Sequence, residues 1–248
     1  RSCNLTWPNG KNLQLNWKRF QPTNLDTMRT KLLMLLLLLS AYVMGQEIHE
    51  NILENQTYME RSAYFKQNPL KEGQIVFLGN SLTQGGNWGE YFPEQKPVNR
   101  GISGDNTLGM LGRLHEIIKA KPSKLFILAG VNDISLGRSN DKILNGIKSI
   151  IYQVKEGSPN TTIYVQSLLP INKDVCKYQR MKNKEKQIEK LNKEIIKFCK
   201  SENITFINLY PHFLSEKRTL DAKYTSDGLH LNEDGYTVWA NQIRKYVE

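Results

Sequence analysis

The feature that most constrains this chain is an alternation. Short, nearly continuous apolar runs take turns with longer segments whose apolar residues recur every three or four positions. The runs are residues 74–78, 124–129, 161–168 and 204–208, and residues 97–100 (Pro-Val-Asn-Arg) read as a shorter, more polar strand between the first two. Runs this short, lacking a polar residue at every second place, suit strands buried on both faces. Between them, residues 106–120 place Leu108, Leu111, Leu114, Ile117 and Ile118 at helical spacing. Residues 141–155 do the same with Ile143, Leu144, Ile147, Ile150, Ile151 and Val154, and residues 178–200 with Ile188, Leu191, Ile195, Ile196 and Phe198. Residues 46–72 read as a helix ending near Pro69, and residues 232–247 as a last helix starting near Asn232 or Asp234. Strands alternating with amphipathic helices predict an α/β fold, a parallel five-stranded sheet covered by helices on both faces.

The N-terminus has a different character. Met28-Arg29-Thr30-Lys31 precedes the apolar run Leu32-Leu33-Met34-Leu35-Leu36-Leu37-Leu38-Leu39, and Ser40-Ala41-Tyr42-Val43-Met44-Gly45 follows. A basic start, an apolar stretch and small residues at Val43 and Gly45 predict a signal peptide over 28–45, cut before Gln46. The run is about 14 residues, against the roughly 20 that span a bilayer. No stable membrane span is therefore expected in the mature form, which is expected to be secreted or periplasmic. Residues 1–27 show no helical or strand period and read as a non-native or unstructured extension with Met28 as the true start; a genuine extension would instead make the apolar run an internal anchor. Residues 46–248 are the size of one domain.

The net charge of +10 shrinks on inspection. Residues 1–45 carry six of the 34 basic residues and one of the 24 acidic ones, leaving 28 against 23. The rest of the excess lies within 173–200 and suits a solvated helix. No basic stripe interleaved with aromatics runs along the chain, so nucleic acid is not an expected partner. Cys176 and Cys199 flank a segment that reads as one helix of about 30 Å, too long to bridge, and two free thiols are expected. The four histidines are scattered, with no CxxC or HxxxH spacing, so a zinc site is not expected.

Four segments carry candidate chemistry, and each falls in a loop facing the C-terminal ends of the strands, where open α/β sheets gather functional groups. Gly79-Asn80-Ser81-Leu82 follows the first strand, Gly101-Ile102-Ser103-Gly104-Asp105 the second and Gly130-Val131-Asn132-Asp133 the third, while Asp227-Gly228-Leu229-His230 precedes the last helix. A serine hydroxyl needs a base to act as a nucleophile at neutral pH. His230 can be that base, and Asp227, three residues earlier, can hold the other ring nitrogen and fix the tautomer. The backbone N–H groups of Ser81 and Gly104 and the side-chain amide of Asn132 are candidate donors to an oxyanion. Asp133 can tie the loops together. Competing motifs fail: a nucleophile elbow needs glycine where Thr83 stands, and no lysine follows Gly79 at the spacing of a phosphate-binding loop.

Together these blocks resemble the SGNH, or GDSL-type, hydrolases over about residues 74–247. The stretch from Asn99 to Thr107 is most similar to the branch holding platelet-activating-factor acetylhydrolase-like enzymes and bacterial carbohydrate acetylesterases. The resemblance implies a flavodoxin-like three-layer α/β/α fold and a Ser81/His230/Asp227 triad. It also implies an oxyanion hole from Ser81, Gly104 and Asn132, with no cofactor. The sequence departs from the family's name motif at Asn80, where aspartate is usual. The expected function is a secreted esterase removing acetyl groups from carbohydrates. A lysophospholipase or short-chain acylhydrolase is the alternative, and an inactive glycan-binding module a third reading. Trp88 and Tyr91, soon after the serine, suit either sugar stacking or core packing.

Overall fold

A computed structural model describes residues 52–248, and the readings of 1–27 and 28–45 lie outside the described residues. The strands are β1 (Ile75–Gly79), β2 (Val98–Gly101), β3 (Lys124–Leu128), β4 (Thr162–Gln166) and β5 (Thr205–Ile207). They form one parallel sheet in the order β2-β1-β3-β4-β5. The five-stranded parallel α/β sheet expected from the apolar runs is present, each strand within one or two residues of its expected ends. The order reverses at β1: β2 lies to one side of it and β3 to the other, which opens a crevice at the C-terminal edge.

The helices are α1 (Gln56–Gln67), α2 (Ser81–Gln84), α3 (Trp88–Tyr91), α4 (Thr107–Gly112), α5 (Leu114–Ala120), α6 (Val131–Ser135), α7 (Asn140–Gly157), α8 (Glu185–Ser201) and α9 (Glu233–Val247). Strand side chains alternate between faces. Val76, Leu78, Leu125 and Ile127 enter one core with Met110, Ile117, Ile147, Ile150, Leu191 and Ile195 from α4, α5, α7 and α8. Phe77, Phe126 and Leu128 enter the other with Trp88 of α3 and Trp239, Ala240 and Ile243 of α9. Phe77 and Trp88 meet edge to face, their ring centroids 4.8 Å apart.

Short polar side chains set the helix starts. Asn106, Ser139 and Asn232 each accept from backbone N–H groups of the first turn of α4, α7 and α9. The single helix expected over 106–120 is broken at Arg113, which leaves helical geometry at φ −117°, ψ 10°. Its side chain is drawn inward to Asp105 and to the end of β1. The break also turns the buried face, so that Met110 is fully buried and Leu108 is exposed.

The helix expected over 178–200 begins only at Glu185. Residues 179–181 form a 3₁₀ turn, and Asn183 takes a left-handed conformation at φ 60°. Before it, Asn172 N–H donates to Gly228 O at 2.9 Å and Lys177 N–H to Asp227 O at 3.0 Å. These bonds strap residues 172–177 across the Asp227–His230 turn and prevent the helix from extending backwards. Cys176, in this strap, and Cys199, in α8, are both free and buried. Burial pushes the Cys199 thiol up to about 11. No helix among the described residues is long and apolar enough to cross a membrane.

Candidate active site

The site assembles where β1, β2 and β3 end. Ser81 is the first residue of α2, and Asn80 before it is fully buried, its Oδ1 accepting from Leu82 N–H at 2.9 Å. A carboxylate oxygen would serve equally as that acceptor. Asparagine therefore keeps the turn, at the cost of a buried Nδ2 with no partner among the described residues.

His230 and Asp227 come from the turn before α9. His230 Nε2 lies 2.9 Å from Ser81 Oγ, and His230 Nδ1 lies 2.8 Å from Asp227 Oδ2. Asp227 Oδ1 accepts from the backbone N–H groups of Leu229 and His230 at 2.9 and 2.8 Å. Burial alone would raise the Asp227 carboxyl. The His230 side chain and these two N–H donors outweigh it and hold the group down to about 2. Gly228 has φ 82°, and a Cβ there would come within 2.6 Å of Cys176 Cα. The glycine in Asp-Gly-Leu-His is thus required by the crossing strap as well as by the backbone conformation.

The opposite wall holds the oxyanion candidates. Gly104 sits at φ 80°, a conformation that favours glycine. Neither its N–H nor that of Ser81 is used in a hydrogen bond among the described residues. Asn132 Nδ2 donates one hydrogen to Asp105 O at 2.7 Å, leaving the other free to face the cavity. Asp133, fully buried, accepts from Thr107 N–H at 3.1 Å and from Thr107 Oγ1 at 2.6 Å, and pairs with Arg138 at 2.7 Å. It therefore joins the loops as the sequence reading expected. Ser81, Gly104, Asn132 and His230 border one open cavity of about 330 Å³, lined as well by Tyr178, Arg180 and Met181. Of the basic residues between 173 and 186, read as part of a solvated helix, Arg180 borders this cavity, whereas Lys173 and Lys186 border another cleft.

Three residues take roles that the sequence did not assign to them. Arg113 Nε and Nη2 reach Asp105 Oδ2 at 3.0 and 2.7 Å, and Nη2 also donates to Gly79 O at 3.1 Å. This buried pair ties the Gly104 loop to the strand end just before Ser81. Burial raises the Asp105 carboxyl to about 6 against the pull of Arg113. The third is Tyr178, whose hydroxyl lies 3.2 Å from Asp227 Oδ2. Conversely, Trp88 is core: it is 1% exposed, its indole N–H donates to Thr83 O, and neither it nor Tyr91 lines the cavity. The aromatic pair after the serine is packing and not a sugar platform. A larger cleft of about 450 Å³, bordered by Lys173, Lys186, Lys217 and Arg218, holds no nucleophile beside a base. Among the described residues no cluster of three or more His, Cys, Asp or Glu is placed to hold a metal ion.

Parallel sheet, strand-end serine and C-terminal-edge crevice are the architecture of an open α/β protein with its functional groups at the strand ends. The chain belongs to the GDSL-like lipase/acylhydrolase family, whose model matches residues 77–238, and the hydrolases of that family act on esters. Platelet-activating factor acetylhydrolase IB subunit alpha1 of Homo sapiens is 29% identical over 173 residues, covering 67% of this chain and 72% of its own length. A GDSL-like lipase from Bacteroides thetaiotaomicron superposes with a TM-score of 0.67 at 26% identity, covering 77% of this chain and 98% of that one. An acetyl xylan esterase superposes with a TM-score of 0.61 at 19% identity, covering 71% of this chain and all (100%) of that one, a likeness of fold alone.

Proposed function

We propose that the chain is a secreted serine esterase that removes short acyl groups, acetyl above all, from carbohydrates. The observation that carries this reading is the run Ser81 Oγ–His230 Nε2 at 2.9 Å and His230 Nδ1–Asp227 Oδ2 at 2.8 Å, facing Gly104 and Asn132 across the cavity. With Nδ1–H held by Asp227, Nε2 presents its lone pair to the serine proton. Ser81 Oγ attacks the ester carbonyl as His230 takes that proton. The carbonyl oxygen becomes an oxyanion, received by the N–H groups of Ser81, Gly104 and Asn132. Collapse breaks the C–O bond, and His230 gives the proton to the departing alcohol. Water then attacks the acyl-Ser81, again losing a proton to His230, and the acid leaves as the proton returns to Ser81.

Short acyl groups suit a cavity of about 330 Å³, at the small end for ligand sites. The polar side chains that border the cavity, Ser103, Ser135, Gln179 and Arg180, could serve the hydroxyls of a sugar. Secretion rests on the leader expected at residues 28–45. A second reading, acetyl removal from a lipid, draws on the acetylhydrolase named among the relatives and on Met181 and Leu229 at the cavity. The test is hydrolysis of p-nitrophenyl esters from acetate to octanoate, then of acetylated xylo-oligosaccharide and an acetylated lysophospholipid, by the protein and by Ser81→Ala. Acetate preference, acetate release from the sugar and loss in the variant support the reading. Preference for longer chains or for the lipid moves it to the second. Turnover that survives Ser81→Ala overturns the mechanism, and no turnover of any ester favours a binding module.

A further inference from the structure

Asp227 has more acceptor capacity than the turn itself fills. Its Oδ1 is taken by two backbone N–H groups, and its Oδ2 receives His230 Nδ1–H. A carboxylate oxygen can accept a second donor. The Tyr178 hydroxyl supplies one, 3.2 Å from Oδ2 and equally 3.2 Å from His230 Nδ1. Because Nδ1 carries a proton in the working tautomer, it cannot accept, and the phenol proton goes to Oδ2. Tyr178 is also seated by more than its hydroxyl. Its ring stands edge to face on the imidazole, centroids 5.3 Å apart at 74°, and Lys177 N–H, one residue earlier, donates to Asp227 O.

We propose that Tyr178 is a positioning residue for the His230–Asp227 pair, its hydroxyl and ring fixing the carboxylate and imidazole in the geometry that faces Ser81. The inference rests on the reading of Ser81, His230 and Asp227 as a triad. Two donors on Oδ2 hold the carboxylate plane, which in turn holds the ring that Nδ1 is bonded to. Burial, followed by the negative charge and hydrogen bond of Asp227, raises the Tyr178 phenol above its ordinary value, so it stays a donor at neutral pH. The hydroxyl has a second effect. By drawing charge from Asp227 it weakens the carboxylate's hold on the imidazolium formed during turnover, so its removal should be visible in the pH profile of activity. The groups facing His230 are Asp227 on its own turn, Tyr178 and Arg180 from residues 178–181, and Ser81 from α2; Cys176 stands behind Tyr178.

The experiment is Tyr178→Phe, assayed on p-nitrophenyl acetate from pH 4.5 to 9, beside Ser81→Ala and Tyr152→Phe. Tyr152 is an exposed tyrosine bonded to Glu202, away from the cavity. Expected for Tyr178→Phe is kcat lower by roughly threefold to tenfold, KM within about twofold, and an acid limb moved upward by a few tenths of a pH unit. Tyr152→Phe should behave as the parent. Unchanged kcat and acid limb in Tyr178→Phe, with Ser81→Ala inactive, overturns the positioning role and leaves the triad standing. A rise in KM alone also overturns it, since Tyr178 would then serve the substrate. A lower melting temperature with an unmoved limb would mean a merely structural tyrosine. Activity surviving in Ser81→Ala removes the triad and this inference with it.

Discussion

The two walls of the cavity are held in opposite ways. On the oxyanion side, Asp105 and Asp133 are 0% exposed and Arg113 4%, and they bind loops that are far apart in the chain. On the base side, the His230 and Asp227 side chains are 32% and 16% exposed and are held chiefly within one four-residue turn and by the strap above it. The difference matches the tasks proposed for them. Donors to an oxyanion act best when they need no rearrangement as charge develops, which a buried and fully cross-bonded frame provides. A base must exchange protons with serine, leaving group and water, which asks for access.

Asp227→Asn breaks the base side at its anchor. It should lower kcat about 10³- to 10⁴-fold through the wrong histidine tautomer while leaving the fold intact at neutral pH, as read by ester turnover beside circular dichroism. Arg113→Met attacks the other wall and should do the reverse damage first. It leaves the Asp105 carboxylate buried without its partner, and urea unfolding should show a loss of about 3–5 kcal/mol. Pairing it with Asp105→Leu should recover much of that stability but not the activity, if the ion pair serves to set the Gly104 loop. Equal recovery of both would mean the pair is only core filling.

Asn132→Ala is expected to lower kcat about 100- to 1,000-fold with KM little changed. A change confined to KM would place the amide on the ground-state substrate.

The smallest effect separates the walls by sign. Asp227 is depressed to about 2 in the folded protein, so its contribution to stability is present above the ordinary carboxylate value and lost as pH falls from about 4 towards 2. Asp105 is raised to about 6, so its contribution is full below the ordinary carboxylate value and lost as pH rises towards and through 6. Urea midpoints against pH should lose the first slope in Asp227→Asn and the second in Asp105→Asn.

The sheet was legible because strands buried on both faces must be apolar throughout, as Ile75–Leu78 and Leu125–Leu128 are. The four loops were legible because a serine after the first strand and an Asp-x-x-His before the last helix need no distant information. The frame behind them was not. Arg113 sits in a helical pattern where an arginine ordinarily faces water, and only the folded chain shows Asp105 and Gly79 O waiting inside. Tyr178 was hidden for a related reason: residues 178–184 continue polar helical spacing into α8, and only the bonds from Asn172 and Lys177 to the His230 turn unwind them. Asn183, a residue type that tolerates left-handed geometry, was the one local signal. Trp88 shows the limit in the other direction, since an aromatic following the nucleophile reads the same whether it lines the cavity or the core.

The most direct test is covalent labelling with an alkyl fluorophosphonate, a mimic of the tetrahedral species, followed by peptide mass spectrometry. The expected result is one phosphonyl group on the peptide containing Ser81, absent in Ser81→Ala and strongly slowed in Asp227→Asn and Asn132→Ala. Labelling at another residue, or labelling whose rate ignores both walls of the cavity, would contradict the site described here.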